Sequence, residues 1–251
     1  MNAVSKDRPV HANLKRDAIV QTAIGFAAVV VLGLLFRIGL NLPLICLPIA
    51  LIVFCAFMGV LLLGLSDHLP HTSLGAANRV TILRAALIAN LAALAAAPES
   101  LRDHGWTVTA LMGFALALDG VDGWVARKYT LTSRFGARLD QELDALYTLV
   151  LALMIFRSGH AGGWVLLAGL WHYLFHALQI ASPVFRNTLP FSQRRRAVCA
   201  ITLGGLILCL SPLCPPSVSG PLAALVLLVL SASFLTDIVW LWRLHTAQTS
   251  I

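Results

Sequence analysis

Four aspartates carry the chemistry that this sequence can offer: Asp119, Asp122, Asp140 and Asp144. They stand in the run D-G-V-D-G-W-V-A-R, eight residues, G, three residues, D, three residues, D. Carboxylates in an apolar chain are costly and mark functional positions. Four so close together need a cation, and hard oxygen donors suit Mg²⁺ or Mn²⁺. The competing explanation is that each aspartate pairs with a neighbouring arginine. Pairing alone leaves the small residues between them unexplained. Gly123, Ala126 and Gly136 would let a ligand or a second helix approach the backbone closely. Arg127 follows one and a half turns after Asp122 and suits a phosphate group.

The elements that hold these residues are membrane helices. The chain is 59% hydrophobic and 12% charged over 251 residues, with a mean hydropathy of +0.84. Soluble domains carry about 25% charged residues, so a water-soluble globule is excluded. Apolar runs long enough to span roughly 30 Å of hydrocarbon fall near residues 18–38, 43–65, 80–97, 105–126, 137–157, 163–183, 197–213 and 222–242. The expected fold is an all-α polytopic membrane protein of about eight spans. No secretory signal is expected, since the first 17 residues are polar. The five cysteines (Cys46, Cys55, Cys199, Cys209 and Cys214) lack C-x-x-C spacing and read as small packing residues.

Basic residues set the topology. With both termini cytoplasmic, Arg37, Arg102 and Arg157 are the only outside residues among the 18 basic ones. The net charge of +7 then reads as cytoplasmic anchoring and attraction to anionic lipid, with no soluble basic domain to bind nucleic acid. Asp119 and Asp122, at i and i+3, share one face of the fourth span near its cytoplasmic end. Asp140 and Asp144, at i and i+4, share one face of the fifth span just after its start. Both pairs reach about 12–13 Å from the cytoplasmic helix ends at 1.5 Å per residue. The second pair lies near a helix N-terminus, which favours anions. The first lies near a C-terminus and needs compensation from elsewhere.

This run resembles the signature of the CDP-alcohol phosphatidyltransferase family, D-x2-D-G-x2-A-R-x8-G-x3-D-x3-D. Asp119, Asp122, Gly123, Ala126, Arg127, Gly136, Asp140 and Asp144 occupy every fixed position. Asn78, Thr81 and Arg84 are similar to the N-x2-T-x2-R segment that opens the first core span in many members. The resemblance implies a six-helix catalytic domain over residues 67–251. Before it would come a cytoplasmic tail at 1–17 and two added spans at 18–66. It implies transfer of a phosphatidyl or other phospho-alcohol group from a CDP-alcohol lipid donor to an acceptor hydroxyl, with release of CMP, in phospholipid biosynthesis. Asp119, Asp122, Asp140 and Asp144 would hold Mg²⁺ or Mn²⁺, with Asp144 also the general base. Gly123, Ala126, Arg127, Gly136, Asn78, Thr81 and Arg84 would form the CDP site. A homodimer in the cell (inner) membrane, its active site cytoplasmic, is implied as well.

The acceptor is less constrained. Arg194, Arg195 and Arg196 precede the seventh span on the cytoplasmic side. Family members that use phosphorylated acceptors keep basic residues at about this place, so the cluster hints at a small phosphorylated alcohol. A positive-inside cap explains the same residues. The sequence reads Asp140-Gln-Glu-Leu-Asp144-Ala, without the Pro and Lys that bacterial phosphatidylglycerophosphate synthases commonly carry there. His172 and His176, at i and i+4, lack the glutamate of an H-E-x-x-H zinc site. They read as a polar stripe in the bundle. The alternative of another class is a transporter or channel, since intramembrane carboxylates also line ion paths.

Overall fold

The computed structural model describes residues 4–68, 73–128, 134–185, 189 and 192–249. Among the described residues there are nine α-helices, several single 3₁₀ turns and no strand. The helices are α1 (Val4–Gly39), α2 (Cys46–Leu63), α3 (Gly75–Ala93), α4 (Pro98–Asp103), α5 (Gly105–Lys128), α6 (Arg134–Arg157), α7 (Leu166–Ala181), α8 (Gln193–Leu210) and α9 (Pro216–Thr249). The protein is an all-α polytopic membrane protein. Large apolar side chains stand bare along its helices, with Leu63 86%, Ile38 78% and Ile180 75% exposed. Water would not tolerate such a surface, whereas lipid does.

Helices occupy all eight expected positions, and among the described residues five are long and apolar enough to cross a bilayer by length and composition. These are Ala12–Gly39, Cys46–Leu63, Gly75–Ala96, Gly163–Ala181 and Pro216–Thr246. In α5 the apolar stretch among the described residues is Gly105–Val121, and it contains Asp119. Charged residues open both α6 (Arg134, Arg138, Asp140, Glu142, Asp144) and α8 (Arg194, Arg195, Arg196). The segment expected as a polar tail is helical from Val4 onward. Its 36-residue helix extends about 54 Å at 1.5 Å per residue, more than a bilayer needs. Its first turns therefore project beyond the hydrocarbon.

The chain divides into two compact units, Met1–Asp144 and Ala145–Ile251. In the first, α3 is the central element. Asn78, Thr81, Ile82, Arg84 and every residue from Ala85 to Ala93 are buried. From Ala85 onward the helix is buried on every side and must be surrounded by others, and α1, α2 and α5 pack against it. Gly25 makes the α1 packing possible, since a Cβ there would lie 2.4 Å from the Phe54 ring of α2 and 2.9 Å from Ile82 of α3. The amide of Asn90 on α3 donates to the Val29 carbonyl of α1 (3.3 Å) and to its own Ala86 carbonyl (2.9 Å). Asp17 of α1 accepts from the backbone N–H of Leu74 at 2.8 Å. It thus supplies the α3 N-terminus with the side-chain cap that Leu74 cannot provide.

In the second unit α9 packs on α8 and on α7. Trp171 donates to Ser231 Oγ (2.8 Å) and stacks on Phe234, centroids 5.6 Å apart. The Ser219 hydroxyl donates to the Cys209 carbonyl at 3.1 Å. α6 closes in a Schellman motif: His160 N–H bonds to Ile155 O (3.2 Å) and Gly159 N–H to Phe156 O (3.1 Å). The motif needs a left-handed residue, and Gly159 has φ +77°. All five cysteines are free thiols.

Candidate active site

The site is built within the first unit, on α3, α5 and α6. Asn78, Thr81 and Arg84 recur every three residues and so share one side of α3. The Asn78 amide donates to the Leu74 carbonyl (2.8 Å) and the Thr81 hydroxyl to the Ala77 carbonyl (3.1 Å). Both are intrahelical bonds that settle short polar side chains inside a buried helix. Arg84 is too long for that solution. It reaches across to the acidic residues of α5 and α6.

Three of the four predicted aspartates meet there. Arg84 Nη1 donates to Asp119 Oδ1 (2.5 Å) and to Asp140 Oδ1 (3.2 Å), and Nη2 donates to Asp144 Oδ1 (2.5 Å). The Arg84 side chain has no exposed surface, whereas Asp119, Asp140 and Asp144 are 31%, 42% and 19% exposed. The guanidinium is thus walled in by protein, and the carboxylates form its open side. Carboxylate oxygens of Asp119, Asp140 and Asp144 all lie within 4.8 Å of one another. The side chains of Asp122, Ala126 and Arg127, together with Gly123, lie outside the described residues. Gly136 lies in the first turn of α6, partly exposed and one turn before Asp140.

This donor set fits Mg²⁺ or Mn²⁺. Three hard oxygens converge from two helices, and their partial exposure leaves room for water or substrate oxygens. The same three carboxylates also realise the pairing alternative through one shared arginine. Arg84, implied by resemblance as a CDP ligand, is here their counter-ion. The reason is local: a fully buried guanidinium is stable only against carboxylates, and α3 offers none of its own.

Two of the three arginines proposed for the acceptor, Arg194 and Arg195, are held by contacts within the second unit. Arg194 Nη1 donates to Ser233 Oγ (2.8 Å) and to the Ser233 carbonyl (3.1 Å). Its Nη2 pairs with Asp237, which also accepts from Arg195 Nη1 at 3.4 Å. Asp237 was not among the residues singled out in the sequence. It is the only acidic residue after Asp144 and lies in a span, which is the signal that marks it. His172 and His176 meet edge to face, centroids 5.2 Å apart.

A sequence profile of the CDP-alcohol phosphatidyltransferase family matches residues 74–246. No curated protein sequence and no solved structure matches significantly. The match covers more than two thirds of the chain, and the chain belongs to that family. Membership favours transferase chemistry over the transporter or channel alternative. The matched region begins at Leu74, where Asp17 caps α3, so α1 and α2 lie outside it.

Proposed function

We propose that this membrane protein transfers the phosphatidyl group of CDP-diacylglycerol to the hydroxyl of a small, phosphorylated acceptor alcohol, releasing CMP. The observation that carries this reading is the convergence of Asp119, Asp140 and Asp144 within 4.8 Å in a chain of this family. Together with Asp122 they would hold Mg²⁺ or Mn²⁺. When bound, the cation neutralises the donor diphosphate and polarises the phosphorus under attack.

The remaining work falls to the protein. Asp144 takes the proton of the acceptor hydroxyl as its oxygen bonds to the phosphorus that bears the diacylglycerol. The bond from that phosphorus to the bridging oxygen breaks, and the electron pair leaves with CMP. Asp144 is the last aspartate of the signature and the least exposed of the three carboxylates. Gly123, Ala126 and Gly136 would admit the donor close to the backbone, with Asn78 and Thr81 beside them. Arg127 would pair with a phosphate in a fork.

For the acceptor, the second unit supplies Arg194, Arg195 and Arg196. Asp237 pairs with Arg194 and Arg195 and fixes those two side chains. That arrangement suits a phosphate dianion. The active site would face the cytoplasm from an eight-span bundle in the cell (inner) membrane, in a homodimer. The deciding experiment follows CMP release from CDP-diacylglycerol with purified protein, Mg²⁺ or Mn²⁺, and a panel of acceptors. Phosphorylated alcohols should turn over and serine or free inositol should not. Replacing Arg194, Arg195 or Arg196 singly by Gln should raise acceptor KM and spare donor KM. A rise of about 10- to 150-fold follows from one lost charged hydrogen bond. Flat kinetics in all three would reject the phosphate pocket.

A further inference from the structure

His68 stands where two helices of the site begin. It ends the short 3₁₀ turn Leu65–His68 that follows α2, and its side chain is buried. Its Nε2–H donates to the Ser73 carbonyl at 3.0 Å. Ser73 comes just before Leu74, whose N–H is capped by Asp17 at the start of α3. The imidazole also packs on the Phe135 ring in the first turn of α6, centroids 5.0 Å apart and planes tilted by 50°. Gly64 backs the same ring, since a Cβ there would lie 3.6 Å from it. Phe135 is itself buried. One imidazole thus joins the entry of the helix that carries Arg84 to the entry of the helix that carries Asp140 and Asp144.

Helix geometry gives this tie a consequence. Phe135, Leu139 and Leu143 recur every four residues and are all buried, so they form a packed row along α6. Gly136, Asp140 and Asp144 form the next row, each one residue on and about 100° further round the axis. Where the first row lodges decides where the second row points. A turn of α6 by about 20° would carry a carboxylate about 2 Å, because side chains reach about 5–6 Å from a helix axis. A metal site tolerates only about 0.2 Å in its ligand distances. We propose that His68 is a positioning residue for the metal site. It holds Phe135 against Gly64, and through the Phe135 row it fixes the direction in which Asp140 and Asp144 meet Asp119. His68 and Gly64 precede the residues that the family profile matches, so the support comes from the segment particular to this chain. The inference rests on the metal-site reading of the aspartates and adds to it a residue that acts through α6.

The test is made in lipid nanodiscs, with Mn²⁺ affinity read by electron paramagnetic resonance of free Mn²⁺. His68→Ala and Phe135→Ala should each weaken binding by about 10- to 100-fold, the usual effect of losing a residue that orients metal ligands. The double variant should bind no worse than the weaker single one, because the two side chains act as one unit. His68→Phe keeps a ring against Phe135 and should stay within about threefold of wild type. Phe135→Leu fills part of the slot and should show the same loss at smaller amplitude, which serves if the alanine variants do not fold. Melting temperature, taken on the same samples, separates positioning from packing. A lower melting temperature with wild-type Mn²⁺ affinity would make His68 a packing contact and overturn the proposal. Losses that add in the double variant would overturn it as well. A His68→Phe variant as weak as His68→Ala would place the effect in the Ser73 bond and reject the route through Phe135. An absence of Mn²⁺ binding by wild type would instead remove the metal reading, and the proposal with it.

Discussion

At the scale of single residues, the site places one buried arginine behind three partly exposed carboxylates, and the consequences differ from one carboxylate to the next. Asp144 is the most sheltered of them and is the one assigned to proton transfer. Asp144→Asn keeps the shape and removes the base, so kcat should fall about 10²- to 10⁴-fold while CDP still binds in the presence of Mn²⁺. Near-normal turnover in that variant would reject Asp144 as the base. Asp119→Asn acts elsewhere. It removes a carboxylate proposed to hold the cation and also a 2.5 Å partner of Arg84. Metal affinity and donor affinity should therefore fall together, and an unchanged Mn²⁺ titration would contradict the assignment. Asp237→Asn tests the second cluster. It releases Arg194 and Arg195 from their shared partner, so acceptor KM should rise with donor KM preserved. An unaltered acceptor KM would reduce Asp237 to a tie between α8 and α9.

At the scale of elements, α3 is the helix on which the site depends, and α1 holds its start. The Asp17 carboxylate accepts from Leu74 N–H and also pairs with Arg79 at 3.4 Å. A lost side-chain cap costs about 0.5–2 kcal/mol, so Asp17→Ala should lower thermal stability and Asp17→Asn, which keeps an acceptor, should lower it less. Equal melting of all three proteins would show that the cap contributes nothing. Most helix positions were readable from apolar run length, since each segment must satisfy its own backbone bonds in lipid. The ends were not. Polar residues continue α1 back to Val4 because charge does not stop a helix that has left the hydrocarbon. Metal-type carboxylates were legible as a spacing on α5 and α6. The role of Arg84 was not, because its partners lie 35 to 60 residues away. Nothing local says that α3 presents its one internal cation to them. Asp17 was hidden for the same reason, 57 residues from the amide it caps.

At the scale of the whole molecule, the matched family region and the two helices before it divide the labour. The family profile starts at Leu74, yet several contacts tie α3 to helices outside that region: Asp17 at Leu74 and at Arg79, Val29 at Asn90, and the Cys46 thiol donating to the Ala93 carbonyl at 3.4 Å. They fall at the start of α3 and in its last turn. The pair α1–α2 therefore braces both ends of the helix that carries Arg84, Asn78 and Thr81. Apolar burial drives helix association weakly in lipid, so packing and hydrogen bonds must supply the hold. A chain beginning at residue 67 keeps Asp119, Asp140 and Asp144 but loses these ties. It should still insert and retain some CMP release. Its melting temperature in nanodiscs should drop, and its donor KM should rise as α3 shifts and Arg84 loses register with the carboxylates. Adding back residues 1–66 as a separate peptide should restore both in part. If the shortened chain matches the full one in melting temperature and donor KM, the brace is not needed, and α1 and α2 must serve something other than the site.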